Sequence, residues 1–431
     1  MERMLGAIRC ELAVNLRHMQ AFLFRLSALA IRFICPLAVL AFSNAEEMGK
    51  YYLFISYFTF VVGVSALELA VPFSRKYLRC KSDKQRRIVF GGFVANQAVV
   101  TTALAVSAGV LISSWAGVPL VLIPLFCLSL ATEACVNEVG RFFWNIGEFR
   151  MTSLRDLIRA VIFTAPVVGS VYFENEVLTA MTFLTIAAGN LCIICWESRS
   201  WGRSRLHNRV HAIHMVKGVW MRASRSLAGS LPQFAHMQLL GLLPLLERTL
   251  VENTLGLAAV GAFSFLTSVM QSAGGLLLVP MVAKTRQGLL GALSVSERIN
   301  ANRQALILLC KICVILGALA VMVYMAQPLL KSLMGKEIPI TFILVLIAYL
   351  SSVSSIFCSA IAPMLTVKGY AWSANGLTLL ALIPLFVAQW ICPEICFDNL
   401  GLMAIAIVAL LLLIGRVIFI NHVSKRLNQE I

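Results

Sequence analysis

The strongest constraint on this chain is a recurrence. Apolar runs of about twenty residues, broken by short polar segments, follow one another from end to end. A helix rises 1.5 Å per residue, so roughly 20 residues cross the ~30 Å hydrocarbon core of a bilayer. Runs of that kind lie at 21–43, 51–72, 88–112, 120–137, 157–173, 179–196, 223–246, 257–283, 305–327, 340–365, 373–392 and 401–421. Inside hydrocarbon a chain satisfies its backbone N–H and C=O groups only as a helix or a closed barrel. The expectation is therefore an all-α polytopic membrane protein of about twelve transmembrane helices. Composition agrees. Hydrophobic residues make up 59% and charged residues 13%, and the mean hydropathy is +0.85. Soluble domains stand near 45–50% apolar and about 25% charged.

The net charge of +16 would suggest nucleic acid on a soluble protein. Its placement argues otherwise. Alternate loops hold Arg75, Lys76, Arg79, Lys81, Lys84, Arg86 and Arg87, then Arg141, Arg150 and Arg155, then Arg199, Arg203, Arg205, Arg209, Lys217 and Arg222. Further basic residues follow at Lys284, Arg286, Arg298, Arg303, Lys368, Lys425 and Arg426; the opposite loops offer only Lys50, Arg248, Lys331 and Lys336. By the positive-inside rule both ends are cytoplasmic, and no nucleic-acid partner is needed. The first twenty residues are polar and basic, and the apolar run after them is too long for a signal sequence, so it reads as a first span.

The longest connection, 197–222, is basic and divides the chain. An N-terminal six-helix lobe covers 1–196, a basic cytoplasmic linker 197–222, and a C-terminal six-helix lobe 223–431. His207, His211 and His214 in the linker could bind metal, but a solvated amphipathic surface segment weighs more, and no metal site is assigned. Cys192/Cys195 and Cys310/Cys313 have CxxC spacing without the partners of a metal site, Cys392 and Cys396 could pair, and the other cysteines read as small hydrophobes. No cofactor is expected. A short internal repeat supports two halves. The stretch from Gly49 to Ser56 and the stretch from Gly261 to Ser268 both read Gly-x-aromatic-x-apolar-apolar-x-Ser, with Gly63 and Gly275 following. Paired lobes are a common transporter plan, because one repeat rocks against the other.

Ionisable residues inside spans are costly and face a cavity or a partner. Arg25 and Arg32 share a face of the first helix. Glu68 falls late in the second span, Glu133 in the fourth, with Glu138 and Arg141 near its end, and Arg159 at the start of the fifth. His236 lies in the seventh, Glu247 and Arg248 close it, Lys311 is early in the ninth and Arg416 late in the twelfth. Two readings stand together. Arg32, Arg25, Arg159, Lys311 and Arg416 would line a cationic interior suited to an anionic cargo, because the guanidinium fork matches phosphate oxygens. Alternatively Glu68, Glu133 and Arg159 form interhelical pairs, the carboxylates serving ion coupling or only structure, while Arg25, Arg159, Lys311 and Arg416 snorkel. Proline at 36, 124, 166, 232, 244, 280, 363 and 384 falls in or near spans, where kinks are tolerated.

Three stretches carry a family resemblance: Glu46 to Leu53 with its Gly-x-Tyr, Gly140 to Gly147 running through Arg155 to Arg159, and Val260 to Phe265 preceded by Glu247-Arg248. In these the chain resembles polysaccharide-repeat transporters of the O-antigen flippase type. These belong to the superfamily that includes multidrug and toxin extrusion proteins and lipid II flippases. The resemblance implies a V-shaped two-lobe carrier of the bacterial inner membrane with a central basic cavity. It implies transfer of an undecaprenyl-diphosphate-linked oligosaccharide to the outer leaflet for surface polysaccharide synthesis. The partners implied are that lipid-linked cargo, membrane lipid, and polysaccharide polymerase and chain-length proteins, with Arg32 and Arg25 contacting diphosphate or acidic sugar. Glu247-Arg248 departs from the acidic–basic pair of relatives, which begins with Asp. A drug or small-solute exporter of the same superfamily is the alternative. A membrane-embedded polymerase or ligase ranks lower, because the outer loops are short and hold no paired carboxylates except Glu174 and Glu176. The expectation is therefore a transporter and not an enzyme.

Overall fold

A computed structural model describes residues 19–20, 22–31, 44–66, 68–113, 118–172, 176–202, 210–272, 295–334, 339–367, 371–391 and 398–429. In chain order the helices are α1 (Phe22–Ile31), α2 (Ala45–Ala66), α3 (Ala70–Arg79), α4 (Asp83–Ser113), α5 (Ile123–Asn145), α6 (Phe149–Tyr172) and α7 (Glu176–Gly202). They continue as α8 (Val210–Leu255), α9 (Leu257–Ser272), α10 (Val295–Met325), α11 (Gln327–Met334), α12 (Phe342–Val367), α13 (Ala371–Ile391) and α14 (Asp398–Gln429). The described secondary structure is all helical.

Among the described residues, five helical stretches are long and apolar enough to cross a membrane: Asp83–Ser113, Leu120–Asn145, Leu306–Met325, Phe342–Ile361 and Leu402–Phe419. The bent pair α2–α3 makes a sixth if it is one span, and four shorter apolar helices accompany them, Phe22–Ile31, Met181–Trp196, Leu257–Ser272 and Trp372–Ala388. Large apolar side chains face outward as well as inward on these helices. Leu111 is 75% exposed and Val314 72%, a waste in water but the natural surface against lipid tails. The chain is a multi-pass membrane protein.

Local chemistry sets the helix ends. Asn44 caps α2 by accepting the Glu47 N–H at 2.8 Å, and Glu46 and Glu47 sit in the positive first turn. Ser82 caps α4 through the Gln85 N–H at 3.3 Å. The helix α5 ends in a Schellman turn: the Glu148 N–H donates to the Phe143 carbonyl at 2.9 Å, and Gly147 takes φ 90°. The second span expected over 51–72 is bent, its two helices meeting at 49°. The helix breaks after Ala66, and Glu68 adopts φ 52°, a left-handed conformation unusual for a side chain other than glycine. The break coincides with the reach of Glu68 to a distant cation, described below.

The chain divides into two compact units, Met1–Cys35 with Val61–Leu231, and Pro36–Phe60 with Pro232–Ile431. In the first unit α5 packs against α3, α4, α6 and α7. Phe93 and Phe142 stack at 4.9 Å in its aromatic core, with Phe73, Phe90 and Phe143 around them. In the second unit α14 packs on α10, α12 and α13, and Leu243, Leu250, Leu316, Phe357 and Ile405 share a continuous core. The two glycines that open the repeated motif meet in this unit. A Cβ on Gly49 would overlap the Leu257 carbonyl, and one on Gly261 would come within 2.5 Å of the Ala45 carbonyl. Small residues let two helix backbones touch, so this part of the repeat marks a crossing of α2 and α9.

Candidate functional site

Each unit buries ionisable side chains among apolar helices, and each satisfies them differently. In the first unit they form two networks along α5. Glu138, fully buried, accepts the Ala70 N–H at 2.9 Å, the Gln97 amide at 3.4 Å and the Arg141 guanidinium at 3.1 Å. The carboxylate thereby caps the positive start of α3. Arg141 also pairs with Glu68, whose left-handed backbone turns its carboxylate toward α5. Opposite this network α4 widens into a π-helical turn over Gln97–Thr101, where Thr101 donates to the Gln97 side chain. Such turns free backbone groups and recur at functional sites.

The second network lies closer to the start of α5. Arg159 of α6 pairs with Glu133, which also accepts the Asn190 amide of α7 at 2.9 Å and the Asn137 amide at 3.4 Å. Asp156 stands 4.0 Å from Arg159 and 3.3 Å from Arg155. The Arg155 guanidinium donates to the Val136 carbonyl at 3.2 Å and occupies the space a side chain at Gly140 would need. This gives a physical reason for the Gly140-Arg141 motif that leads to Arg155. Arg159 lies well inside α6, not at its start, and it is met by a carboxylate.

The second unit holds a cation of another kind. Arg416, 2% exposed, donates to Thr378 and lies 3.3 Å from His236 Nδ1. Asn375 anchors the same place by donating to the Pro232 carbonyl at 2.8 Å. Among the described residues no carboxylate pairs with Arg416, and Arg416 Nη1, His236 Nε2 and Asn375 Oδ1 are buried without a hydrogen-bond partner. One guanidinium nitrogen, one ring nitrogen and one amide oxygen are thus left over at a single buried cation. Nearby in sequence, Glu247 accepts the Ser351 hydroxyl, at 2.8 Å, and Arg248 binds Ser56 and the Tyr52 carbonyl at 3.2 Å, over the Tyr52 ring at 5.5 Å. The Glu247-Arg248 pair, left without a role by the sequence, fastens α8 to α12 and α2.

The remaining expected residues fall elsewhere. Arg25 stacks over Trp144 at 4.2 Å, a cation–π contact within the first unit. Lys311 is exposed on α10 and makes no hydrogen bond or ion pair among the described residues. Arg32, Cys392, Cys396 and His207 lie outside the described residues, and the side chains of His211 and His214 do too. Among the described residues no group of three or more His, Cys, Asp or Glu side chains could hold a metal ion. Sequence reasoning noted His236 without placing it at a site, and it missed Asn190, Thr378, Asn375 and Ser351. Their one signal was polarity within an apolar run, which many harmless serines and threonines share.

No protein-family model matches the chain, and no curated protein matches it. Among solved structures it is similar to the crystal structure of MATE in complex with MaD3S, at 13% identity over 96% of each chain, with a TM-score of 0.35.

Proposed function

We propose that this chain is a membrane transporter that exports an amphipathic solute by alternating access, with twelve spans and both ends in the cytoplasm. The observation that carries the reading is Arg416. A buried cation with no carboxylate partner among the described residues is expensive, and one with a guanidinium nitrogen left without a hydrogen-bond partner there is suited to a polar or anionic group that comes and goes. A purely architectural residue would be matched, as Arg159 is by Glu133.

Two cargo classes fit. Export of a small solute is favoured by the networks along α5, where Glu68, Glu133, Glu138 and Asp156 offset Arg141, Arg155 and Arg159. Transfer of an undecaprenyl-diphosphate-linked oligosaccharide is favoured by the sequence motifs and by the cations Arg416, Arg25 and Arg32. Deletion of the gene separates them. Accumulation of lipid-linked oligosaccharide inside the cell, with loss of surface polysaccharide, supports the flippase; sensitivity to amphipathic toxins with normal polysaccharide supports the exporter. Neither phenotype, together with no cargo movement by the purified protein in liposomes, would overturn the transporter reading. In a flippase Arg32→Ala abolishes surface polysaccharide while the protein still inserts, and normal polysaccharide in that variant removes Arg32 from the site.

A further inference from the structure

The basic turn between α3 and α4 has a feature that transport does not use. A cavity of about 460 Å³ runs between the two helices, lined along α3 by Phe73, Lys76 and Arg79 and along α4 by Ile88, Gly92 and Asn96. Its volume falls within the ~300–1,000 Å³ of ligand pockets. The lining is graded. At the turn end stand Lys76 and Arg79, both exposed, and neither makes an ion pair among the described residues. Leu78 and Ile88, 57% and 50% exposed, flank that end with apolar surface. Farther along, the wall is Phe73, Gly92 and Asn96. Asn96 is 1% exposed; its amide N–H donates to the Gly92 carbonyl at 2.9 Å, and its Oδ1 has no hydrogen-bond partner. Gly92 lines the groove, and a Cβ there would meet only the Phe73 ring, at 3.9 Å.

We propose that this groove binds one anionic glycerophospholipid. Lys76 and Arg79 hold the phosphate, part of an acyl chain or the glycerol lies along the apolar wall, and Asn96 Oδ1 accepts from a lipid hydroxyl. Two cations at the mouth of an apolar channel, in a membrane protein, match the charge and polarity of that ligand from one end to the other. Basic pockets between membrane helices recognise anionic headgroups in this way. A soluble phosphate would use the cations and leave the apolar wall without purpose. Arg86 and Asp83, paired with each other at 3.6 Å, are kept out of the site.

The test uses the full-length protein in detergent, titrated with phosphatidylglycerol or phosphatidylcholine and read by native mass spectrometry. One phosphatidylglycerol should be retained in preference to phosphatidylcholine. Lys76→Ala and Arg79→Ala should each weaken retention roughly fivefold, at about 1 kcal/mol per cation. Gly92→Leu, which fills the groove and spares both cations, should also abolish the preference. Equal retention of the two lipids, or preference unchanged in the Lys76→Ala/Arg79→Ala double variant, overturns the proposal. So does full competition by glycerol phosphate without acyl chains, which would mark a soluble-anion site. Both cations are exposed, so their removal leaves the fold intact and the result interpretable even where Gly92→Leu does not fold.

Discussion

The two units bury charge by opposite means. In the first, carboxylate meets guanidinium: Glu133 with Arg159, and Glu68 and Glu138 with Arg141. In the second, Arg416 meets a hydroxyl and an imidazole, Glu247 meets a hydroxyl, and Arg248 meets a hydroxyl, a carbonyl and a ring. A matched pair is hard to separate in a low-dielectric interior, because each partner left behind is an uncompensated charge. It therefore fixes helices to one another. A charge held only by dipoles is incompletely neutralised and retains attraction for a mobile counter-group. By this difference the first unit is braced and the second is poised, so mutation of the two should fail in different ways.

The largest effect should follow from Glu133→Ala. It strands Arg159 and deprives Asn190 and Asn137 of their acceptor, at a cost of about 3–5 kcal/mol. Thermal unfolding in detergent should show a large loss of stability or no folded protein, and the Glu133→Leu/Arg159→Leu double variant should recover most of it. A double variant as unstable as the single one would mean the pair is not the brace.

Arg416→Met asks the converse question. Replacing a buried ion pair by apolar residues is often neutral or stabilising by about 1–4 kcal/mol, and a buried cation with no carboxylate partner among the described residues should tolerate an apolar chain of similar length at least as well. The variant should melt at or above the parent temperature while transport falls at least tenfold. A melting temperature that drops as far as for Glu133→Ala would erase the contrast between the units and make Arg416 structural.

Gly49→Ala tests the packing on which the second unit relies. The added methyl meets the Leu257 carbonyl, which belongs to a helix backbone and yields poorly, so the cost is about 1–3 kcal/mol. Gly241, with open space around its would-be Cβ, is the control, and Gly241→Ala should leave the melting temperature unchanged or slightly raised. Equal effects at the two glycines would argue that α2 and α9 do not pack as described.

How much of this was legible in the sequence depends on the range of the interaction. Helices followed from apolar length alone, because the bilayer imposes a ruler that no side chain can alter. The repeat at Gly49 and Gly261 was legible as pattern, but the contact between the two copies was not, since a pattern does not say which helices cross. Arg159 looked like a helix-end residue because nothing local shows that α6 begins ten residues earlier, at Phe149. Glu68 looked helical for the same reason: its partner Arg141 is 73 residues away. The site in the second unit was the least visible. Arg416, His236 and Thr378 come from three helices, and two of the three are common residues whose burial only tertiary contact decides.

The finest test sets one neutral hydrogen-bond donor in each unit against the other. Ser56→Ala removes a hydroxyl from Arg248, which then keeps the Tyr52 carbonyl and ring and the neighbouring charge of Glu247. Asn190→Ala removes an amide from Glu133, which keeps the full charge of Arg159 and the Asn137 amide. Hydrogen bonds to charged groups contribute about 1.5–3 kcal/mol, and the loss is greatest where nothing else compensates the charge. Ser56→Ala should therefore cost about 2 kcal/mol and Asn190→Ala about 1 kcal/mol, both read as shifts in thermal unfolding of the purified protein. The order matters more than the sizes. If Asn190→Ala proves the more damaging, the Glu133–Arg159 pair is not self-sufficient, and the first unit depends on dipoles as much as the second.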